Sequence, residues 1–345
     1  MRTLAIETSC DDTSLAIVND SNWTYNVEKI LAYSQISEHQ KFWWVVPELA
    51  SRLHSEKIIA ILQTIWLEEI PNVDFISVTT EPGLPWSLVV GKTVGFELWA
   101  FYKKDVVSVH HILWHMFSIL LERKLEDLKF PLAILTASWG HNDIYIIEEE
   151  NNKINTFSSD FPQFNFAWFT VTKVWHTLDD AAWECFDKVS RMLWGPYPGW
   201  VRISQKAEQW KKNPLVNFKR IFLSHDKFEF SFSWMKSQVT FLLEKLRKEN
   251  IELNEQLICD IAFDFQEAVV EVMGKKLLHA WETFWANTLA IAWWVSANNR
   301  LCEYIQDLLK KKHLDLPFYA PAKKLYSTDN WAMIWVVWLL SKRKY

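Results

Sequence analysis

Glycine, cysteine and long apolar runs are all scarce in this sequence. It contains seven glycines and four cysteines in 345 residues, and the cysteines lie far apart without the CxxC spacing of thiolate zinc sites. The same spacing argues against a disulfide framework, so a reducing compartment suits the chain. The longest apolar stretches, such as residues 132–135 and 289–295, are far shorter than the roughly 20 residues that cross a bilayer. No signal-peptide pattern follows Met1, so we expect a cytoplasmic protein without membrane contact.

The charge balance is mildly acidic. Lysine and arginine number 37 against 42 aspartates and glutamates, which gives a formal net charge of −5. Such a field repels phosphate, so contact with a nucleic acid requires a local basic patch or a partner subunit. Composition alone therefore gives no indication of RNA.

Tryptophan is unusually abundant in this sequence. The chain has 22 tryptophans, and tryptophan and glycine together make up about 8% of its residues, close to the usual glycine share of about 7%. In turns, a positive φ or a close ligand approach is easy only without a Cβ. Tryptophans occupy several such turns: Trp43-Trp44 before Val45, Trp139 before Gly140, Trp200 after Gly199, and Trp293-Trp294 after a predicted strand.

We interpret this exchange as a consequence of the genetic code. On this hypothesis the gene comes from a lineage that reads UGA as glycine, and the sequence was translated with a table that reads UGA as tryptophan. The alternative is a truly tryptophan-rich protein with a stacking surface for sugars or bases. The codons decide between the two, because a true tryptophan is encoded by UGG.

The first part of the chain alternates between strands and helices. Residues 4–18 predict two strands joined by a polar turn over 7–13, whose hydroxyls suit a phosphate. Further elements follow in order: a helix over 47–67, a strand over 75–79, a helix over 87–102, a strand over 106–109, and a helix that carries His111 and His115.

The same order restarts after residue 128. Residues 132–137 and 143–148 predict a second hairpin, and a later strand is predicted over 289–292. Helices are predicted over 177–193, 235–250, 257–279 and 300–311. Two units that each open with a polar-tipped hairpin predict a duplicated α/β fold with a cleft between its halves.

Two histidines form the first candidate site. His111 and His115 lie four residues apart, so on a helix they share one face and their ring nitrogens can converge on one cation. A third, anionic ligand would complete such a site, and Asp329 in a turn before the last predicted helix is the candidate. Surface or capping histidines are the alternative interpretation of this spacing.

Three glycine-like turns after strands form a second candidate site. Amide groups in such turns can bind a phosphate, and an amide side chain can bind a ribose or a base. The turns contain Thr136, Ala137, Ser138, Trp139 and Gly140; Pro198, Gly199 and Trp200; and the segment from Trp293 to Asn298. Together they favour nucleotide binding, although each is also explained as a purely structural turn.

Asp187 lies in the middle of a predicted helix among apolar residues. A carboxylate there is costly unless it has a partner, so Asp187 is either a ligand-binding group or a solvated helix residue. Cys10 is a possible nucleophile, but no histidine lies close to it in sequence, so we expect an idle thiol.

Taken together, these motifs closely resemble the TsaD family of tRNA N6-adenosine threonylcarbamoyltransferases, formerly labelled O-sialoglycoprotein endopeptidases. The resemblance spans nearly the whole chain. The matching segments are Ile6 to Asp11, Val46 to Arg52, Pro82-Gly83-Leu84, His110-His111 with His115, Asp179 to Ala182, Phe186-Asp187-Lys188, Val295 to Asn298, and Thr328-Asp329-Asn330.

The resemblance implies a two-lobed fold of the actin and sugar-kinase type, built from duplicated RNase H-like domains around a cleft. Residues 1–127 would form the N-terminal lobe, completed by a helix over 329–345, and residues 128–328 the C-terminal lobe. It implies one divalent metal per subunit, Fe(2+) first and Zn(2+) as the alternative, on His111, His115 and Asp329. The substrate pocket would be lined by Thr136, Ala137, Ser138, Trp139, Gly140, Asp187, Trp200 and Asn298.

The activity implied by the resemblance is an acyl transfer to tRNA. The threonylcarbamoyl group would pass from threonylcarbamoyl-adenylate to N6 of the adenine 3′ of the anticodon, in tRNAs that read codons beginning with A, and AMP would leave. The implied partners are tRNA, a paralogous TsaB-like subunit and a small TsaE-like ATPase. The departures from the family pattern are tryptophans in place of glycine, at Trp44, Trp86, Trp114, Trp139, Trp183, Trp200, Trp293, Trp294 and Trp331.

Three other functions compete with this one. An ATP-dependent small-molecule kinase of the same fold would not need the paired histidines. A metalloprotease would use an HExxH motif, but residues 111–115 read HILWH and lack the glutamate base. A scaffolding role would be favoured by failure to bind any adenylate.

Overall fold

The structure is a computed structural model, and it describes residues 1–21, 24–63, 68–137, 141–155, 157, 160–211, 213–220 and 228–327. Its first half is a five-stranded sheet with helices. The elements in chain order are β1 (Arg2–Glu7), β2 (Asp12–Ser21), β3 (Thr24–Ser34), α1 (Ile36–His39), α2 (Pro47–Ile61), β4 (Phe75–Glu81), α3 (Pro85–Tyr102), β5 (Val106–His110) and α4 (His111–Phe117).

The second half repeats this plan with additions. Its elements are β6 (Leu132–Ala137), β7 (Asn142–Glu149), β8 (Gln163–Phe166), β9 (Phe169–Thr177), α5 (Ala182–Met192), α6 (Gly199–Ala207), β10 (Glu229–Phe230), α7 (Ser233–Lys248), α8 (Glu255–Phe284), β11 (Thr288–Ala292), α9 (Asn299–Lys311) and β12 (Phe318–Tyr319).

The order of the strands shows the duplication directly. The first sheet runs β3-β2-β1-β4-β5, and the second contains β9-β7-β6-β11-β12, with β10 beyond β9 and β8 paired to β9. In each sheet the first three strands of this order are antiparallel and the last two join in parallel. The predicted duplicated α/β fold is therefore confirmed.

Local sequence explains where the elements begin. α2 and α3 begin at Pro47 and Pro85, and proline suits the first helical position because its missing N–H has no intrahelical acceptor there. The apolar strands β1 and β6 are central and buried on both faces, as parallel pairing with helical crossovers requires.

Most predicted elements are present, and one helix was predicted too long. The helix predicted over 177–193 begins only at Ala182, because residues up to Thr177 belong to β9. β3, β9 and α6 were not predicted from the sequence. Trp200, predicted in a turn, is instead the second residue of α6.

Two apolar cores support the halves. One joins β1, β2 and β4 with α4 and continues onto one face of β6, β7 and β9, and the other lies between the opposite face of that second sheet and α5 to α9. The proposed boundary between residues 127 and 128 lies in the connection between α4 and β6. The helix proposed over 329–345 lies outside the described residues. No helix in the described part of the chain is long and apolar enough to span a membrane.

Several tryptophans have backbone conformations that are usual for glycine. Trp43, Trp194, Trp285 and Trp293 have positive φ values of 62°, 56°, 54° and 71°. Trp285 ends α8 in the left-handed conformation that glycine usually supplies at this position. Trp293 has ψ −162°, a combination found essentially only for glycine. These conformations support the proposal that glycine is the encoded residue there.

Candidate active site

A cavity of about 550 Å³ lies between the two halves. The first half contributes the β1–β2 turn, the start of α4 and the Pro82-Gly83-Leu84 segment. The second half contributes β6, β7, β9, α5, the start of α6 and Trp293. A cleft between duplicated halves is where the sequence predicted the substrate pocket.

The predicted histidine pair converges beside this cavity. α4 begins at His111 and carries both residues on one face, with Nε2 of His111 3.3 Å from Nε2 of His115. His111 lines the cavity, whereas His115 is fully buried behind it. Burial lowers the pKa of His115 well below its usual value, with a further contribution from His111, so the imidazole is neutral at neutral pH.

Two residues at the end of β1 hold the His111 ring. Its Nδ1 lies 3.0 Å from the Ser9 hydroxyl and 3.5 Å from Oε2 of Glu7. The Glu7 carboxylate is fully buried and also accepts hydrogen bonds from the Ser9 amide and the Thr79 hydroxyl. Burial alone would raise the pKa of Glu7, but the charge of His111 and these hydrogen bonds outweigh it and lower the pKa.

The pair fits a metal ion. With metal–nitrogen bonds of about 2.0–2.1 Å, two imidazole nitrogens in a tetrahedral site are about 3.3 Å apart, which matches the observed separation. A carboxylate behind the distal ring nitrogen, as Glu7 is here, is the usual support of a metal-bound histidine. Within the described residues no third histidine, cysteine or carboxylate completes a cluster of three.

The proposed third ligand, Asp329, lies outside the described residues. The last described residue, Ser327, is buried, and its hydroxyl accepts a hydrogen bond of 2.7 Å from Ser296. Ser296 follows Trp293 by three residues in the turn after β11. Ser327 therefore contacts the turn that follows Trp293.

Two tryptophans enclose His115. The Trp114 ring stacks on one side at a centroid distance of 3.8 Å, and the Trp293 ring stacks at 3.7 Å. Trp293 also lies 5.1 Å from the His111 ring and lines the cavity. The indole of Trp293 thus covers the face of the His115 ring and takes up space in the cavity beside the histidine pair.

The predicted phosphate turn is described only in part. Thr136 lines the cavity at the end of β6, and Ala137 packs in the core of the second half. Ser138, Trp139 and Gly140 lie outside the described residues. On the far side of the turn, His141 and Asp143 line the cavity.

Asp187 has a defined structural partner. It is buried on α5, lines the cavity, and accepts a hydrogen bond of 2.5 Å from the Gly199 amide at the start of α6. A Cβ at residue 199 would lie 2.7 Å from Cα of Asp187, so this approach requires glycine. Trp200 also lines the cavity and packs edge-on against Trp183 at 5.1 Å.

Asn298 lies behind the cavity wall. Its side chain accepts the Leu301 amide at the start of α9 and donates to Gln266 at 3.3 Å. It lines a void of about 10 Å³ rather than the main cavity, and Trp183 borders both spaces. Among the described residues Trp183 is the one that lines both spaces, so we expect glycine at residue 183 to open the cleft towards Asn298.

The cavity also contains a group of three polar residues that was not predicted from the sequence. Lys173 on β9 forms an ion pair with Asp143 at 2.8 Å, and Tyr145 donates a hydrogen bond of 3.1 Å to the other oxygen of Asp143. All three line the cavity. No short motif contains them, because strand pairing alone brings them together.

Comparison with known proteins decides the family. A model of TsaD, tRNA N6-adenosine threonylcarbamoyltransferase, matches residues 26–336. The chain is 35% identical over 334 residues to the tRNA N6-adenosine threonylcarbamoyltransferase of Staphylococcus epidermidis, covering 96% of this chain and 89% of that protein. The protein of the same name from Mesoplasma florum is 33% identical over 97% of this chain and 96% of its own length. The chain belongs to the TsaD family.

Solved structures agree on the fold of this TsaD family member. Full-length HypF matches with a TM-score of 0.54 at 10% identity, over 99% of this chain and 55% of that one. Component A of the (R)-2-hydroxyglutaryl-CoA dehydratase of Acidaminococcus fermentans matches with a TM-score of 0.54 at 10% identity, over 99% and 98% of the two chains. The two-lobed actin and sugar-kinase type of fold is therefore confirmed, and the family makes the chain a transferase that acts on tRNA.

The Asp179-Asp180 part of the family motif supports the TsaD fold rather than the site. Asp179 accepts hydrogen bonds from the amides of Phe232 and Ser233 at the start of α7. Asp180 pairs with Lys188 at 2.8 Å and Lys236 at 2.9 Å. These contacts fasten α5 to α7 and so set the wall that carries Asp187.

Glu7 offers a test of how the histidine pair of this TsaD protein is supported. We expect Glu7→Gln to weaken metal binding by about 10- to 100-fold, because a neutral amide orients His111 less firmly than a carboxylate. The dissociation constant of the metal, measured by competition with a chelator, checks this. Glu148→Gln is the matched control, since Glu148 is equally buried but binds the amides of Ile154 and Asn155. Equal metal affinity in the Glu7 variant and the control would contradict the assignment.

Proposed function

We propose that this enzyme transfers the threonylcarbamoyl group of threonylcarbamoyl-adenylate to N6 of the adenine 3′ of the anticodon, in tRNAs that read codons beginning with A. The observation that carries the proposal is the histidine pair, 3.3 Å between nitrogens, at the edge of a 550 Å³ cavity enclosed by both halves. This volume is within the range of cavities that bind small ligands.

The reaction is an acyl transfer. The N6 lone pair of adenine attacks the carbamoyl carbon, the bond from that carbon to the phosphate oxygen breaks, and AMP leaves with the bonding electrons while the amine loses one proton. Placing the donor between the two halves orients its carbamoyl carbon and keeps water away, and such positioning lowers the barrier without new chemistry.

His111, His115 and Asp329 are the residues proposed to hold a divalent metal, Fe(2+) first and Zn(2+) as the alternative. Such an ion supplies Lewis-acid polarisation of donor oxygens. Glu7 and Ser9 hold the His111 ring from behind. Amides of the turn from Thr136 to Gly140 are proposed to stabilise the leaving phosphate.

Asp187, Trp200 and Asn298 are proposed to surround the nucleoside. Asp187 is anchored on the Gly199 amide and so fixes the start of α6 at the cavity edge. We expect Asn298 to gain access to this space when residue 183 lacks a side chain, because Trp183 lines both spaces. Glycine at residues 183 and 200 is therefore part of the proposed pocket.

A paralogous TsaB-like subunit and a small TsaE-like ATPase are the proposed protein partners. The net charge of −5 disfavours contact between the chain alone and the phosphates of RNA, which supports a contribution of partner subunits to tRNA binding. A reconstitution tests the whole proposal. The chain with glycine at the nine tryptophan positions named above, here called the glycine form, is incubated with both partners, the adenylate and unmodified tRNA. The nucleosides of the tRNA are then analysed.

The expected product of that incubation is threonylcarbamoyladenosine, with one AMP released for each modified base. A small-molecule kinase of the same fold would leave the tRNA unmodified and, in a separate incubation of the chain with ATP and without the partner ATPase, would phosphorylate a small acceptor. That second outcome would replace the proposed function.

A further inference from the structure

The wall of the cavity formed by the second sheet carries a lysine ammonium group. Lys173 is the one lysine or arginine among the described residues that line the cavity, which also includes Asp11, Asp143 and Asp187. An acyl donor of the proposed kind bears a carboxylate and a phosphate. Carboxylates on the wall would repel such a ligand, so the placement of the single ammonium matters for binding.

Strand pairing aims Lys173 at the cavity. Lys173 on β9 lies opposite Tyr145 on β7, and Asp143 is two residues from Tyr145, so the three side chains share one face of the sheet. A register shift between Ile144 and Tyr145 marks a bulge at this point. Bulges redirect side chains beside active sites.

The ammonium group is held but remains accessible. Its Nζ lies 2.8 Å from Oδ1 of Asp143, and the Lys173 side chain is 29% exposed against 9% for Asp143. The Tyr145 hydroxyl donates to the other oxygen of Asp143 and keeps that carboxylate in place. Burial and the neighbouring Asp143 raise the pKa of Tyr145, so its hydroxyl stays protonated and remains a donor.

We propose that Lys173 binds an anionic group of the acyl donor, a carboxylate or a phosphate, and that Asp143 and Tyr145 position it for this contact. This inference rests on the proposed function. In the absence of donor, Asp143 neutralises the ammonium. When donor binds, a second anionic oxygen shares the ammonium, which has three N–H donors and can serve both.

Pairs of ligands that differ by one anionic group test the inference. The probes are AMP against adenosine for the phosphate, and N-carbamoyl-threonine against its methyl ester for the carboxylate. Binding to the full-length glycine form of the chain is measured by calorimetry, for the parent, for Lys173→Met and for Lys173→Arg. Methionine keeps the unbranched apolar stem, one atom shorter, and removes the charge, whereas arginine keeps the charge.

A charge-assisted hydrogen bond lost in Lys173→Met should weaken binding of one anionic probe by about tenfold or more, with its neutral counterpart changed less than about twofold. Lys173→Arg should recover most of that affinity. Loss of AMP affinity assigns the phosphate, and loss of N-carbamoyl-threonine affinity assigns the carboxylate.

Equal weakening of both members of each pair would show a structural ion pair and overturn the inference, as would unchanged affinities or a parent chain that binds neither anionic probe. The tRNA assay separates this failure from failure of the proposed function. If the parent chain modifies tRNA and the Lys173→Met variant has the same KM for the adenylate as the parent, the inference about Lys173 is wrong and the proposed function stands. If the parent chain makes no modified base, the proposed function itself is wrong.

Discussion

The chain with all 22 tryptophans should be inactive. A chain with glycine in place of the nine tryptophans at family glycine positions should transfer the threonylcarbamoyl group at least about 100-fold faster. Misplacement of the reactants by one ångström lowers the rate by about that factor. Those positions are Trp44, Trp86, Trp114, Trp139, Trp183, Trp200, Trp293, Trp294 and Trp331. The measurement is the initial rate of tRNA modification with the partners present.

Trp293 explains most of the expected difference. Its indole covers His115 at 3.7 Å and lines the cavity, and its φ of 71° with ψ −162° costs about 1–3 kcal/mol for a residue with a side chain. Glycine would remove both the obstruction and the strain. Among the described residues, the buried indole nitrogens of Trp114 and Trp183 have no hydrogen-bond partner, an added cost that glycine also removes.

Two chains with eight glycines serve as matched controls for that experiment. One keeps Trp293 and should stay inactive, and the other keeps Trp86, which is 70% exposed on α3 outside the cavity lining, and should be as active as the chain with nine. Mass spectrometry of the native protein gives an independent answer, since each glycine lowers the mass by a fixed amount. A native protein with the mass of the tryptophan chain would overturn the genetic-code hypothesis.

The parts of the fold that the sequence predicts are those set by local pattern. The hairpin strands β1 and β6 are short apolar runs beside polar turns, and the amphipathic helix α9 shows the helical period. Strand β9 was missed because its alternation of apolar and polar residues changes phase at Lys173, where its pairing with β7 is bulged. Its place in the sheet depends on pairing with β7, which is non-local.

The candidate site likewise contains a local feature that the sequence predicts and non-local contacts that it does not predict. The spacing of His111 and His115 is local, since one helix brings them together, and the pair was predicted. The contacts of His111 with Ser9 and Glu7 join residues more than 100 positions apart, and that of Lys173 with Asp143 depends on a bulged register. Such contacts follow from the fold of the whole chain and leave no motif in the sequence.

His111→Ala and His115→Gln, each made in the glycine form of the chain, should remove the bound metal and lower the rate of transfer by about a thousandfold, the loss of several kcal/mol of transition-state stabilisation. Each change removes one of two ring nitrogens that lie 3.3 Å apart. Glutamine is chosen for residue 115 because alanine would leave a cavity at a fully buried position. Metal content per chain and the initial rate are measured together.

His110→Phe is the control for the histidine pair. His110 precedes α4, stacks on Phe164 at 6.0 Å and does not line the cavity, so phenylalanine keeps its packing and leaves the site intact. We expect this variant to retain its metal and its rate, with all variants melting within a few degrees of the parent. A metal-free double variant that still modifies tRNA at the full rate would refute the role of the histidines, because the proposed site has no other described ligands that converge on one centre.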